Sequence, residues 1–415
     1  MSAQDGKRRR TPLLALLAAT GISYAGNTMT LVAVPWFVLQ TTGSAGLAGL
    51  AAFFATLPVA LSAGLGGVLV DRLGYRRASI TADVASGVTI ALVPILHLTV
   101  GLPFWGLLAL VFLGALLDAP GHTARSALVP ELAEEAGMAL ERAASALAGV
   151  ERASRMAGGP IAGILIAVVG ASQVLLVDAA TFALSAALLT LLVPRAVRAA
   201  DEPAPVRYLA QLREGLAFIR HDPLIRAIVV MVLFTNMLDG AFSTVILPVY
   251  ADRVLDSAVA LGLMVGVFGV GAMTGAIVYG AIGPRLPRYV TYAVAFLVAG
   301  APRFFILAAF PALPVVLISL GLFAVAVGAI NPILSNVEYE RVPVGMRGRV
   351  FGAITAGVFC AIPLGGLLAG GLLELVGLRT TLLGLGIGYL LATLSPFIVP
   401  AWRQMDVTAP ARVSA

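Results

Sequence analysis

Along this chain, long apolar runs alternate with short polar breaks, and the runs have the length of a bilayer-spanning helix, about 20 mostly apolar residues. Twelve such runs fall at 13–39, 46–70, 78–100, 104–121, 143–169, 174–193, 224–250, 259–282, 289–310, 313–334, 350–373 and 380–399. The pattern predicts an all-α membrane protein that crosses the bilayer twelve times. The first run follows Lys7-Arg8-Arg9-Arg10, as a signal peptide's core would. It is longer than the ~7–15 residues of such a core and carries no convincing cleavage site, so it reads as a span.

The basic residues test that count. Let the N-terminus lie inside and the loops alternate. The inside group then takes the N-terminal tail, Arg72, Arg76, Arg77, Arg125, Arg142, Arg152, Arg155 and the arginines of 195–226. It also takes Arg285, Arg288, Arg341, Arg347, Arg349, Arg403 and Arg412, whereas the outside group takes only Arg253 and Arg379. Arg303 is left within a span. Basic loops favour the cytoplasmic face, and one missed or invented helix would scramble the alternation. Both termini are therefore expected on the cytoplasmic side of a cell inner membrane.

The one long polar stretch, 195–223, opens with a linker composition. Leu209, Leu212, Leu216 and Ile219 then recur at helical spacing with Arg213, Glu214 and Arg220 between them. That is the pattern of an amphipathic helix lying along the membrane surface. It divides the chain into a bundle of six spans at 1–194, a linker at 195–223 and a second bundle of six at 224–415. The halves echo each other. Asn27 with Asp239, Pro35 with Pro248, 67–74 with 280–287, and 119–120 with 331–332 each lie 212 or 213 positions apart. Pro160 and Pro363 are 203 apart, as a shorter loop before the eleventh span requires. Six spans followed by six, both entering from the same side, make a parallel repeat about an axis along the membrane normal.

Composition narrows the chemistry. The chain is 60% hydrophobic and 12% charged, with mean hydropathy +0.99, against about 25% charged in soluble domains. A single cysteine, Cys360, rules out a disulfide framework or thiolate cluster. His97, His122 and His221 lie far apart in the sequence, so no histidine metal site and no cofactor is expected. The only lysine, Lys7, is in the N-terminal tail. Without a GxxxxGK[ST] lysine the chain has no phosphate-binding loop for ATP hydrolysis. The net charge of +6 follows from arginines in short loops, a topology signal and not a nucleic-acid surface.

After the second run comes Gly66-Gly67-Val68-Leu69-Val70-Asp71-Arg72-Leu73-Gly74-Tyr75-Arg76-Arg77. Glycines let helices approach closely, and Gly74 permits a sharp reversal. The string closely resembles the GxLxDRxGR(R/K) signature of the major facilitator superfamily, at its expected place between the second and third spans. The resemblance extends to helix count, repeat and central linker, and so covers essentially the whole chain. Within that superfamily, several strings look like the bacterial exporter branch with macrolide-efflux and enterobactin-export proteins. They are Pro35-Trp36, Thr41-Thr42-Gly43-Ser44, Ala124-Arg125-Ser126-Ala127-Leu128-Val129-Pro130, and Arg347-Gly348-Arg349-Val350-Phe351-Gly352. Gly159-Pro160-Ile161-Ala162-Gly163 is similar to the core of the GPxxG antiporter motif, although the upstream glycine spacing departs from the full form. Relatives often carry an acid near Asn27; an asparagine there cannot release a proton.

The resemblance implies two pseudo-symmetric six-helix bundles of the major facilitator fold, with spans one, four, seven and ten lining a central cavity. It assigns Gly67, Asp71, Arg72, Gly74, Arg76 and Arg77 to the signature, with Asp71 latching the halves through Arg349 or the start of the eleventh helix. Asp118 at the end of the fourth span, with Arg125, Glu151, Arg152 and Arg155, is expected to form an inner gate network, and Asp83 looks structural. Tyr24, Asn27, Trp36, Asn236, Asn331 and Asn336 are candidates for the cavity wall.

An ionisable residue at mid-span costs at least ~2.5–3.5 kcal/mol on insertion scales and so calls for a reason. Asp239, beside Asn236, is the deepest acid of the seventh span. Poor solvation favours the neutral form of a carboxyl group, which suits a proton carrier; a permanent hydrogen bond between helices is the competing explanation. Arg303 is expected to pair with a carboxylate or snorkel, in a structural role. The leading expectation is a proton-coupled exporter of small amphipathic organic compounds, monomeric, surrounded by membrane lipids and working by alternating access. The competing transporters are a nutrient importer and a lipid flippase. A nontransporting receptor or membrane enzyme would need a reactive constellation, and none is legible.

Overall fold

The computed structural model describes residues 3–194 and 208–406; the side chains of 3–9, 59, 60, 62–72 and 208–211 lie outside that description. The linker 195–207 and the signature side chains of Gly67, Asp71 and Arg72 thus fall outside the described residues. Among those described, ten helices are long and apolar enough to cross a membrane. One of the ten, Val344–Ile398, holds two spans, because helical geometry breaks at Gly377 with φ +78°. The helix Ala45–Leu73, apolar over Ala45–Pro58, supplies one more. Twelve crossings result, as the apolar pattern predicts.

The chain forms two units, 1–206 with 256–262, and 207–255 with 263–415. In the first unit, α1 (Ala3–Thr42) packs along α2 (Ala45–Leu73), α4 (Phe104–Glu135), α5 (Leu140–Val169) and α6 (Ala171–Leu192). Helix α3 (Tyr75–Thr99) lies against α4 and α6. Small residues make the closest approaches. A Cβ on Gly158 of α5 would stand 2.9 Å from the Ala25 carbonyl oxygen of α1. The apolar pattern ends the fourth span at 121, but α4 continues to Glu135. Leaving hydrocarbon does not end a helix, and here Leu128 and Leu132 keep one face buried against Leu13, Leu16, Leu147 and Leu189.

In the second unit, α7 (Tyr208–His221) is the expected amphipathic helix. Its Ile219 is buried with Ile225, Val342, Val350 and Ile354, so one apolar edge packs on protein, while Leu216 stays exposed. Asp222 then caps α8 (Pro223–Ala241), accepting from the amides of Leu224 at 2.9 Å and Ile225 at 3.0 Å. The seventh span is not one regular helix. A π turn at Phe242–Ile246 separates α8 from α9 (Leu247–Arg253). Pro248, which lacks an amide hydrogen, stands just beyond the turn and weakens the regular ladder there. Next comes α10 (Ala258–Ile282). The ninth span is broken at Gly300 between α11 (Arg288–Ala299) and α12 (Ala301–Ala308). Helix α13 (Leu313–Arg341) and the kinked α14 (Arg347–Thr393) complete the unit. Helices α8 and α14 touch through glycine: a Cβ on Gly240 would meet the Ile362 carbonyl oxygen at 2.6 Å.

Candidate functional site

The glycine contact between α8 and α14 fixes the residue beside it, Asp239, one turn before the π segment. Across from it, the break at Gly300 redirects the ninth span so that α12 brings Arg303 inward, where it is 4% exposed. The Asp239 carboxylate and the Arg303 guanidinium form an ion pair. Arg303 is also surrounded by ring faces, with Phe242 at 4.4 Å, Phe304 at 5.2 Å, Tyr389 at 5.3 Å and Phe268 at 5.9 Å. Rings stabilise a cation deprived of water. Tyr389 is held in place because no side chain stands at Gly300: a Cβ there would fall 1.9 Å from its ring. The two partners differ in access, since the Asp239 side chain is 41% exposed while that of Arg303 is 5% exposed.

This pair sits on the wall of a cavity of about 340 Å³ within the second unit. Asn236, Asp239 and Ser243 come from the seventh span, Asn331 from α13, and Phe268, Phe296 and Leu334 supply apolar wall. An apolar cavity with a few convergent polar groups is the usual form of a small-molecule site. A larger crevice of about 610 Å³ lies along Val230, Met231, Phe234 and Leu391, ending at Arg226 and Trp402. It is almost wholly apolar and excludes Asp239, so the smaller cavity is the better candidate.

Among the described residues, the buried acids of the first unit sit in three clusters. Asp118 accepts hydrogen bonds at one oxygen, Oδ2, from Asn27 Nδ2 at 2.8 Å, with His122 Nε2 at 2.7 Å on the same oxygen. Tyr24 lies against the His122 ring, centroids 4.4 Å apart, and Arg155 stands 4.8 Å over Tyr24. In the second cluster Arg125, 1% exposed, pairs with Asp83 and donates to Ser79 Oγ at 3.1 Å, while Ser185 donates to Asp83 at 2.7 Å. In the third, Asp178 accepts from Thr30 at 2.5 Å and Thr181 at 3.1 Å.

Of the residues singled out from sequence, Asn236, Asp239 and Asn331 come together in one cavity, and Asn27 joins Asp118 instead. Several expectations need correction. Of the expected network of Asp118, Arg125, Glu151, Arg152 and Arg155, Arg125 forms its ion pair with the fully buried Asp83 on α3 while still acting electrostatically on Asp118. Trp36, 6% exposed, is packed in the core of the first unit. Asn336 is exposed further along α13, on a different turn from Asn331. Arg303 does pair with a carboxylate, as expected, and with it lines the cavity. Arg349 contacts Glu214 of α7 at 2.5 Å, while the side chain of Asp71, its expected partner, lies outside the described residues.

Among the signature residues, Gly74 has φ +76°, the reversal that glycine permits, and Arg77 is exposed. Arg76 ties α3 to the end of α6 through the Val193 and Thr190 carbonyls at 2.8 and 2.7 Å. Gly159 and Gly163 are buried with Pro160 between them, and a Cβ on Gly163 would stand 2.6 Å from the Gly262 Cα.

Sequence reasoning missed His122, Arg303's place in the cavity, and Tyr389. For His122 a signal was present: Asp118 and His122 are four apart on one helix, hence neighbours.

The sequence model of the Major Facilitator Superfamily matches residues 16–256 and 229–414. The multidrug efflux pump Tap of Mycolicibacterium fortuitum is 32% identical over 406 residues, covering 97% of this chain and 98% of its own. The pump of the same name from Mycobacterium tuberculosis (strain ATCC 25618 / H37Rv) is 32% identical over 409 residues, 97% of each chain. Among solved structures, a variant of the nucleoside transporter NupG has a TM-score of 0.77 over 93% of this chain and 99% of its own at 13% identity, a likeness of fold. Twelve crossings in two six-span halves, a mostly apolar cavity with a few polar groups walled by transmembrane helices and these matches along the whole length lead to one assignment: the chain belongs to the Major Facilitator Superfamily, a multi-pass membrane transporter and not an enzyme.

Proposed function

We propose that this transporter exports small amphipathic organic compounds from the cell in exchange for protons, by alternating access. The observation that carries the reading is the cavity of about 340 Å³ in which the Asp239–Arg303 pair meets Asn236 and Asn331 on a mostly apolar wall. The apolar wall suits drug-like or siderophore-like cargo. Arginine stays charged at any physiological pH, so the group that changes state is the exposed carboxylate. A proton on Asp239 breaks its charge pairing with Arg303 and shifts the balance between two conformations. The 32% identity to pumps named for multidrug efflux supports the outward direction.

In this reading the protein is a monomer in the cell inner membrane with both termini cytoplasmic. The signature from Gly67 to Arg77, with Asp71 and Arg72, latches the cytoplasmic side, and Arg349 contributes through the Glu214 contact that holds α7. Gly159, Pro160 and Gly163 supply the close packing that antiport requires.

The test uses everted membrane vesicles with an imposed pH gradient and ethidium as probe. Gradient-driven accumulation in the wild type, lost in Asp239→Asn while the protein stays in the membrane at normal level, is the expected result. Accumulation that ignores the gradient overturns the proton coupling.

A further inference from the structure

We propose that the Asp118–His122 pair in the first unit is a second proton-binding site, separate from Asp239, in which His122 Nδ1 takes the incoming proton. The inference deepens the proton-coupled reading above and rests on it for its role in transport.

The geometry singles out this pair. Both contacts to Asp118 fall on Oδ2, from Asn27 at 2.8 Å and His122 at 2.7 Å. The remaining carboxylate oxygen, Oδ1, and the remaining ring nitrogen, Nδ1, are buried without a hydrogen-bond partner. A half-satisfied buried network is unfavourable, and two open positions on one contacting pair give it somewhere to hold a proton. With Nε2–H donating to the carboxylate, the free nitrogen is Nδ1. Protonation there converts imidazole to imidazolium and balances the Asp118 charge without breaking the Nε2 contact.

The other two clusters of the unit lack these properties. Arg125 cannot give up its proton, and it and Asp83 are 1% and 0% exposed. Asp178 is 0% exposed, and the two side chains shown bonding to it are hydroxyls. His122 is the only imidazole in the three clusters, and its side chain is 26% exposed although Nδ1 itself is buried.

Among the described residues, the charged and titratable groups facing the pair come from several of the helices around it. They are Tyr24 on α1, Arg125 on α4, Asp83 on α3 and Asp178 on α6, while Glu151 and Arg155 on α5 act on Tyr24 beside the pair. Asn27 also finds its reason here. An acid at that position would set a second carboxylate against Asp118, whereas the amide donates to it. Loading and unloading His122 therefore changes the charge that holds α1 to α4.

The chain has three histidines, so His122 can be observed directly. The full-length protein, labelled with 15N-histidine and held in nanodiscs, is titrated by NMR, and His122→Gln identifies the resonance while keeping an amide donor toward Asp118. The expected result is a His122 resonance that changes protonation between about pH 5 and 8. In proteoliposomes, His122→Gln lowers the number of protons moved per ethidium by about one, the single proton that one imidazole holds. A resonance unchanged across that pH range overturns the proposal, as does a proton-to-ethidium ratio equal to wild type. Ethidium movement without protons in the wild type would instead defeat the proton-coupled reading, and the NMR titration would still decide whether His122 binds a proton.

Discussion

Arg303 brings a permanent charge into a place with almost no water, and four aromatic rings and one carboxylate compensate it. Removing one partner of a fully buried pair costs ~3–5 kcal/mol. Asp239 is 41% exposed, so water reaches its side and the cost is smaller. Asp239→Asn is accordingly expected to lower the melting temperature of the purified protein, and the double variant Asp239→Asn/Arg303→Gln to recover part of that loss without recovering gradient-driven transport. A double variant no more stable than the single one would show that the pair does not act as a unit. The depth of Asp239 is legible from its position in an apolar run. Its partner is not, because 64 positions and a whole intervening span separate them. The Asp118–His122 contact is encoded in a spacing of four, but reading the histidines as isolated positions hides it.

Elements here meet through glycine where polar residues must be held. A Cβ on Gly365 would stand 1.9 Å from the Met237 carbonyl oxygen, and one on Gly240 would meet Ile362 backbone, on either side of Asp239. Gly365→Leu forces α8 and α14 apart. A cost of ~1–3 kcal/mol is expected, read as a lower melting temperature, with loss of transport. A variant of normal stability and full transport would show that this contact does not set the position of Asp239. The apolar runs give these elements their number and approximate ends. They do not show the π turn after Asp239 or the break at Gly300, because both depend on local hydrogen bonding and not on hydropathy. They also end the fourth span at 121, since a hydropathy window finds lipid boundaries, whereas α4 continues on the strength of Leu128 and Leu132 packing.

At the scale of the molecule, the repeat offset of 212 places Asp239 where the first half has Asn27. The two units therefore treat one position differently. The second carries an acid against a cation, and the first carries an amide against an acid with a histidine beside it. Two-half architecture is legible because it is written in length, periodicity and arginine placement. The division of polar labour is not, since it arises only when side chains from different spans meet. In the proposed exchange, cargo and protons move in opposite directions. Purified protein in liposomes loaded with the pH dye pyranine measures it directly. An imposed ethidium gradient should drive protons the other way, with no such flux in Asp239→Asn. Ethidium flux with no accompanying change in pyranine fluorescence would contradict it.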